Sequence, residues 1–157
     1  MEIGCATGTL LSVAKSRGLR AYGYDSNPHA QPVALARHGI QIDSGLWVGS
    51  DSAQYDLVLC ISTLEHLTNP KGLLSEIAAY GKRTGAQAFV SVPFNAEQHS
   101  WPDFLNPDPK AGNPLYLCDV HLTHFTKRGF ETMARSAGAV QLVRATYGGW
   151  TGYWLIF

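Results

Sequence analysis

The sequence lacks any apolar run approaching the roughly 18 residues that a membrane-spanning helix needs, which argues against a membrane role. It also lacks a charge excess. Twelve Lys and Arg face twelve Asp and Glu, for a net charge of +0 and no basic stripe. Nucleic-acid backbones are held by such stripes, so no nucleic-acid partner is expected. Charged residues of either sign are scarce, 15% where about a quarter is usual. Cysteine is scarce too: Cys5, Cys60 and Cys118 are odd in number and have no metal-ligand spacing. With Cys5 and Cys60 in apolar strand contexts, they read as reduced thiols of a cytoplasmic protein. No Gly-Lys-Ser/Thr phosphate loop occurs, no export leader precedes the first strand signal, and no repeat or domain boundary is visible. What remains is 157 residues, 45% hydrophobic, enough for one domain with a real core.

Strand and helix signals alternate along it. Glu2-Ile3-Gly4 is the stub of a strand running into a small-residue turn, and Thr9 to Ala14 then has helical spacing up to a capping Gly18. Leu19 to Tyr24 predicts a second strand ending at Asp25. Ser26-Asn27-Pro28 predicts a helix start with Pro in its first turn, and Gly39 its stop. Ile40 to Ile42 is a third short strand. Tyr55 to Ile61 is near-continuously apolar, as expected of a parallel strand covered on both faces. A helix from Thr68-Asn69-Pro70, a strand over Ala86 to Val92, a helix capped by Thr126 and closed by Gly138, and two strands (140–145 and 151–157) complete the series. The expected fold is α/β: a Rossmann-like, seven-stranded, mostly parallel sheet with a C-terminal antiparallel hairpin and helices on both faces. From Phe94 to about His124 the rhythm breaks, and the prolines and aromatics there (Trp101, Phe104, Tyr116) suit either a lid over a flat or apolar molecule or an insertion packed on the helix behind it.

In such a sheet, ligands sit at the carboxyl ends of the strands. The turn there fails the dinucleotide fingerprint, because Ala6 and Thr9 stand where its second and third glycines belong. What is present is Glu2-Ile3-Gly4-Cys5-Ala6-Thr7-Gly8 followed, 17 residues after Gly8, by Asp25, a carboxylate able to accept from both ribose hydroxyls. This stretch resembles the first motif, Asp/Glu-x-Gly-x-Gly-x-Gly, of class I S-adenosylmethionine-dependent methyltransferases. Tyr55 to Cys60 with Leu64-Glu65-His66-Leu67-Thr68-Asn69-Pro70 is similar to the fourth-strand motif of small-molecule members, a group that includes quinone-biosynthesis-like enzymes. His121-Leu122-Thr123-His124-Phe125-Thr126 before a helix is similar to them as well.

The resemblance implies S-adenosyl-L-methionine as cofactor, S-adenosyl-L-homocysteine as product, and a small-molecule acceptor at O, N or C. Gly4, Cys5, Ala6 and Gly8 would run under its methionine part, with Glu2 holding the turn. Asp25 would take the ribose hydroxyls with Ser26 beside the adenine. Asp43, Ser44, Gly45 and Leu46 would meet the adenine edge, and Ser62 and Thr63 the amino-acid end. Ala6 departs from the family's middle Gly and narrows the backbone's approach. The sulfonium is already activated, so an enzyme of this kind mainly positions a nucleophile, and an oxygen nucleophile also needs its proton removed. His66 is the first candidate base, then His121 and His124; Glu65-His66 orienting a loop, and the other two packing beneath a lid, are the structural alternatives. Metal-dependent relatives carry a further Glu three positions before the Glu-His pair; here that position is Ser62, so no metal is expected at Glu65, His66, His121 and His124. The alternative to an enzyme is an inactive cofactor-binding domain serving as a partner or regulatory module. The expected state is a monomer or homodimer, one domain over 1–157, with its first strand cut short and the usual N-terminal cap missing, as in a truncated copy of a longer protein.

Overall fold

The computed structural model describes residues 1–49, 54–94, 120–148 and 150–157. In chain order it contains β1 (Glu2–Ile3), α1 (Thr9–Ser16), β2 (Gly23–Asp25), α2 (Ala30–His38), β3 (Asp43–Ser44), β4 (Leu57–Ile61), a 3-10 turn (Leu64–His66), α3 (Pro70–Thr84), β5 (Gln87–Ser91), α4 (Lys127–Ala137), β6 (Gln141–Tyr147) and β7 (Trp150–Ile156). The strands form one sheet in the order β3-β2-β1-β4-β5-β7-β6. Its first five members are parallel neighbours, while β7 runs antiparallel to both β5 and β6. The order reverses between β1 and β4, since the chain builds outward from β1 to β3 and then returns to the other side. That switch point is where an open sheet leaves a crevice.

Two apolar clusters fix the layers. Val58, Cys60, Ala88, Val90 and Tyr153 alternate along β4, β5 and β7 and bury against Leu74, Ile77 and Tyr80 of α3 and Phe130 and Ala134 of α4. Full burial of a side chain the size of Leu or Phe is worth roughly 1.5–3 kcal/mol, so this face carries much of the stability. A smaller cluster, Cys5, Leu11, Ala30, Ala34, Ile40 and Ile42, lies under α1 and α2. Both long helices begin where the sequence places them. Asn69 accepts the Gly72 N–H at 2.9 Å and Thr126 accepts that of Gly129 at 2.9 Å, while Gly138 caps α4.

Three expectations shift. The third strand is Asp43–Ser44, not Ile40–Ile42: both isoleucines are buried, but the Ile42 N–H donates to Gln31 Oε1 at 2.7 Å and does not join the ladder. The second strand begins at Gly23 and not Leu19, because the Leu19 N–H still donates to Ala14 O to finish α1. The second helix begins at Ala30, since Asn27 first makes a side-chain turn with the His29 N–H at 3.0 Å. Of the break after Val92, Phe94 stacks edge-on against Phe130 and Tyr153, both at 5.8 Å; Trp101, Phe104 and Tyr116 lie outside the described residues. Among the described residues no helix is long and apolar enough to cross a membrane.

Replacing the cap of α4 tests how firmly this frame is anchored. Thr126→Ala should cost about 1 kcal/mol, read as a lower urea midpoint with unchanged slope, while Thr126→Ser should stay close to the parent.

Candidate active site

The turn after β1 is folded back onto β2 by three amides. Gly4 and Cys5 donate to Tyr24 O at 2.8 and 3.1 Å, and the Ala6 N–H donates to Asp25 Oδ2 at 2.7 Å. The other Asp25 oxygen accepts the Asn27 N–H at 2.8 Å. Gly4, Ala6 and Gly8 all have left-handed backbone, with φ of 72°, 45° and 74°. For Ala6 that conformation costs about 1–2 kcal/mol, which the bond to a carboxylate offsets. At Gly4 the glycine is required by the protein itself, because a Cβ would overlap the Thr63 hydroxyl. Thr63 Oγ1 sits 3.2 Å from Ile3 O and 3.1 Å from Ile61 O, tying the ends of β1 and β4 together.

Beside this turn lies a cleft of about 570 Å³, within the range usual for small-molecule sites. Gly4, Ala6, Asp25, Ser26, Gly45, Leu46, Ser62, Thr63 and His66 border it. Glu2, Cys5, Gly8, Asp43 and Ser44 stand off from it: Cys5 faces Gly23 and Leu11 in the small core, Gly8 caps α1, and Asp43 and Ser44 form β3 on exposed backbone. Tyr24, Trp47, Leu67, Asn69 and Leu73 also line the cleft, a role the sequence did not single out. Trp47 carried a signal, standing amid an apolar patch in an otherwise polar stretch; its ring is 3% exposed and meets Tyr80 edge-on at 5.5 Å.

Of the three candidate bases only His66 borders the cleft; His121 and His124 follow behind it in a row. His66 Nδ1 lies 2.9 Å from Val120 O, and a carbonyl only accepts, so Nδ1 carries the hydrogen and Nε2 is left as a base. The His66 and His121 rings are 4.8 Å apart, and those of His121 and His124 6.3 Å. Glu65 is 1% exposed behind them, and its carbonyl accepts from the Leu122 and Thr123 N–H groups at 2.7 and 3.1 Å. One carboxylate oxygen of Glu65 and one ring nitrogen each of His66 and His121 lie within 4.8 Å of one another. Burial pushes the Glu65 carboxyl above its usual range, with the two nearby imidazoles opposing.

A methyltransferase-domain family model matches residues 1–142 of this chain. The chain belongs to the class I methyltransferase family. The ubiquinone biosynthesis O-methyltransferase of Aeromonas salmonicida is 30% identical over 139 residues, 82% of this chain and 52% of its own length. That of Azoarcus sp. is 31% identical over 103 residues, 60% of this chain and 44% of its own length. The chain thus spans about half the length of these curated relatives. The structure of PigF with S-adenosylhomocysteine shares the fold at a TM-score of 0.71 and 16% identity, over 99% of this chain and 49% of that one.

One acidic position of the methyltransferase motif has unusual electrostatics. Glu2 is 6% exposed and its Oε2 has no partner among the described residues. Burial raises its pKa to about 7, with the Met1 ammonium opposing and Asp25 adding to the rise. An acid whose folded pKa exceeds its ordinary 4.5 favours the folded state when protonated. Stability from Glu2 is therefore full below about pH 4.5, is lost as pH rises toward about 7, and is flat above. Glu2→Gln should abolish that slope in melting temperature against pH and melt higher than the parent above pH 7. Gly4→Ala should cost about 2–4 kcal/mol in chemical denaturation, from its φ and from overlap with Thr63. Adding Thr63→Ala should return the steric part of that loss and leave the part due to φ.

Proposed function

We propose that this domain binds S-adenosyl-L-methionine in the cleft between the Gly4–Gly8 turn and Leu46, and transfers its methyl group to a small-molecule nucleophile with a histidine as base. The observation that carries this is the placement of Asp25 and His66 on opposite stretches of one cleft. Each Asp25 oxygen accepts one backbone N–H and keeps a lone pair, so the carboxylate can hold the turn and still receive two ribose hydroxyls. The residues fit the cofactor in other respects. Gly4 and Ala6 of the turn border the cleft, Leu46, Trp47 and Leu67 give an apolar wall for a purine, and Ser62 and Thr63 offer polar groups to an amino-acid end. Ala6 adds one methyl on the cleft side and is accommodated at φ 45°.

When bound, the cofactor supplies an activated methyl on a sulfonium, and the protein's share is orientation, exclusion of water and removal of a proton. His66 Nε2 is free to accept that proton because Nδ1 is committed to Val120 O. The names of the relatives favour an oxygen nucleophile among the O, N and C possibilities. The product is S-adenosyl-L-homocysteine. In this reading the protein is cytoplasmic, a monomer or homodimer, and takes neither nucleic acid nor membrane as partner. Gly45 and Leu46 serve the adenine side, Asp43 and Ser44 place them from β3, and Glu2, Cys5 and Gly8 serve by shaping the turn. An inactive cofactor binder acting as a partner module is the second reading.

Titration calorimetry separates these from a dinucleotide enzyme. S-adenosylhomocysteine should bind and NAD should not, and Asp25→Ala should weaken binding about tenfold or more. No heat with S-adenosylhomocysteine would overturn both cofactor readings. Labelled methyl transfer to catechol-like and phenolic acceptors then separates enzyme from inactive binder.

A further inference from the structure

Five buried side-chain atoms lack a hydrogen-bond partner among the described residues, and three of them sit together: both carboxylate oxygens of Glu65 and Nδ1 of His121. A buried carboxylate without a hydrogen-bond donor is costly, and so is a buried ring nitrogen without a partner. The two groups are complementary, an acceptor and a nitrogen that can carry hydrogen. They are also held close, since the Leu122 and Thr123 amides bind the Glu65 carbonyl and fix the residue next to them, His121, near Glu65. Side-chain rotation alone can close the remaining gap, because a carboxylate oxygen of Glu65 and a ring nitrogen of His121 already lie within 4.8 Å.

We propose that Glu65 is the positioning residue of His121: its carboxylate accepts the His121 Nδ1–H, fixes that tautomer, and leaves Nε2 as the basic nitrogen. This rests on the methyl-transfer reading and deepens it. His66 and His121 then differ in kind. His66 has its Nδ1–H on a neutral carbonyl, whereas His121 has an anion behind it. An imidazole that gains a proton becomes a cation, and a carboxylate at Nδ1 stabilises that cation far better than a carbonyl does. His66 Nε2, at the cleft wall, is the first acceptor of the proton, and His121, stacked on it and backed by the carboxylate, is the stronger base to which the proton passes. The step balances simply: the acceptor hydroxyl's proton passes to His66 Nε2 and on to His121 Nε2, its oxygen bonds the methyl carbon, and the methyl–sulfur bond breaks with its electron pair on sulfur.

The test is the tautomer, read on the full chain by long-range 1H–15N spectra of the imidazoles. The parent should show both His66 and His121 with hydrogen on Nδ1. Glu65→Leu should move His121 to the Nε2–H form and leave His66 unchanged, while Glu65→Gln, which keeps an oxygen acceptor, should retain the parent tautomer. Should Glu65→Leu fail to fold, parent and Glu65→Gln still decide the matter, because an Nε2–H His121 in the parent overturns the proposal. It is also overturned if added Mg2+ or Zn2+ shifts both histidines and raises the melting temperature, since the carboxylate would then belong to a cation. Calorimetric binding of S-adenosylhomocysteine is independent of these outcomes and separates failure here from failure of the cofactor reading. In methyl transfer, Glu65→Leu should lower kcat by about 10- to 100-fold with the cofactor KM unchanged.

Discussion

The Asp25 carboxylate bridges two backbone amides that belong to different connections, Ala6 in the turn after β1 and Asn27 in the turn after β2. Hydrogen bonds to a charged acceptor are worth about 1.5–3 kcal/mol each, enough to hold Ala6 in a backbone conformation that only glycine adopts freely. From the other side, Thr63 at the end of β4 fills the space above Gly4 that a side chain would otherwise take. Three strand ends are thus locked where the sheet order reverses. The cradle is a consequence of closing the switch point, built by the protein's own packing before any ligand enters. Such preorganisation matters for a reaction whose rate comes mostly from alignment.

Much of this was legible in the residues. Alternation of strand and helix signals, the Asn69 and Thr126 caps and the Gly138 stop follow from local chemistry, and each is where its side chain or φ requires. The near-continuous apolar run marks β4, but only one face is fully covered: Val58 and Cys60 are buried, while Leu57, Leu59 and Ile61 on the other face are half-buried. The third strand was misplaced because burial and pairing part company there. Ile40 and Ile42 are buried in strand-like alternation, yet a glutamine from α2 takes the Ile42 amide and the ladder forms only at Asp43. Periodicity reports which residues are buried, and here burial does not coincide with strand pairing.

The site was legible in outline and opaque in detail for the same reason. Gly4 stands out as a glycine in a motif and Thr63 as a candidate ligand contact, but they are 59 positions apart and nothing local marks them as steric partners. Tyr24, Leu67 and Leu73 look like ordinary core residues, and only the crevice between β2, the 3-10 turn and α3 gives them a shared face. Asp25 was visible as the acid closing a strand; that it spends one lone pair on each of two amides is tertiary information.

In the proposed reading the two halves of the chemistry are positioned by different means. The cofactor half rests on strand ends, which are rigid because the sheet is. The proton-handling half rests on the 120–124 segment, which belongs to no strand or helix and is tied to the 3-10 turn by the Leu122 and Thr123 amides on the Glu65 carbonyl. They meet at His66, which borders the cleft with one edge and stacks on His121 with the other. Glu65 therefore acts twice: its backbone holds the segment that carries His121, and its side chain is buried beneath that ring. A chain with only 15% charged residues that buries a carboxylate here needs a cation or a donor for it, and under the proposal a histidine that cycles through the protonated form would be a partner whose need is greatest at the moment of proton transfer.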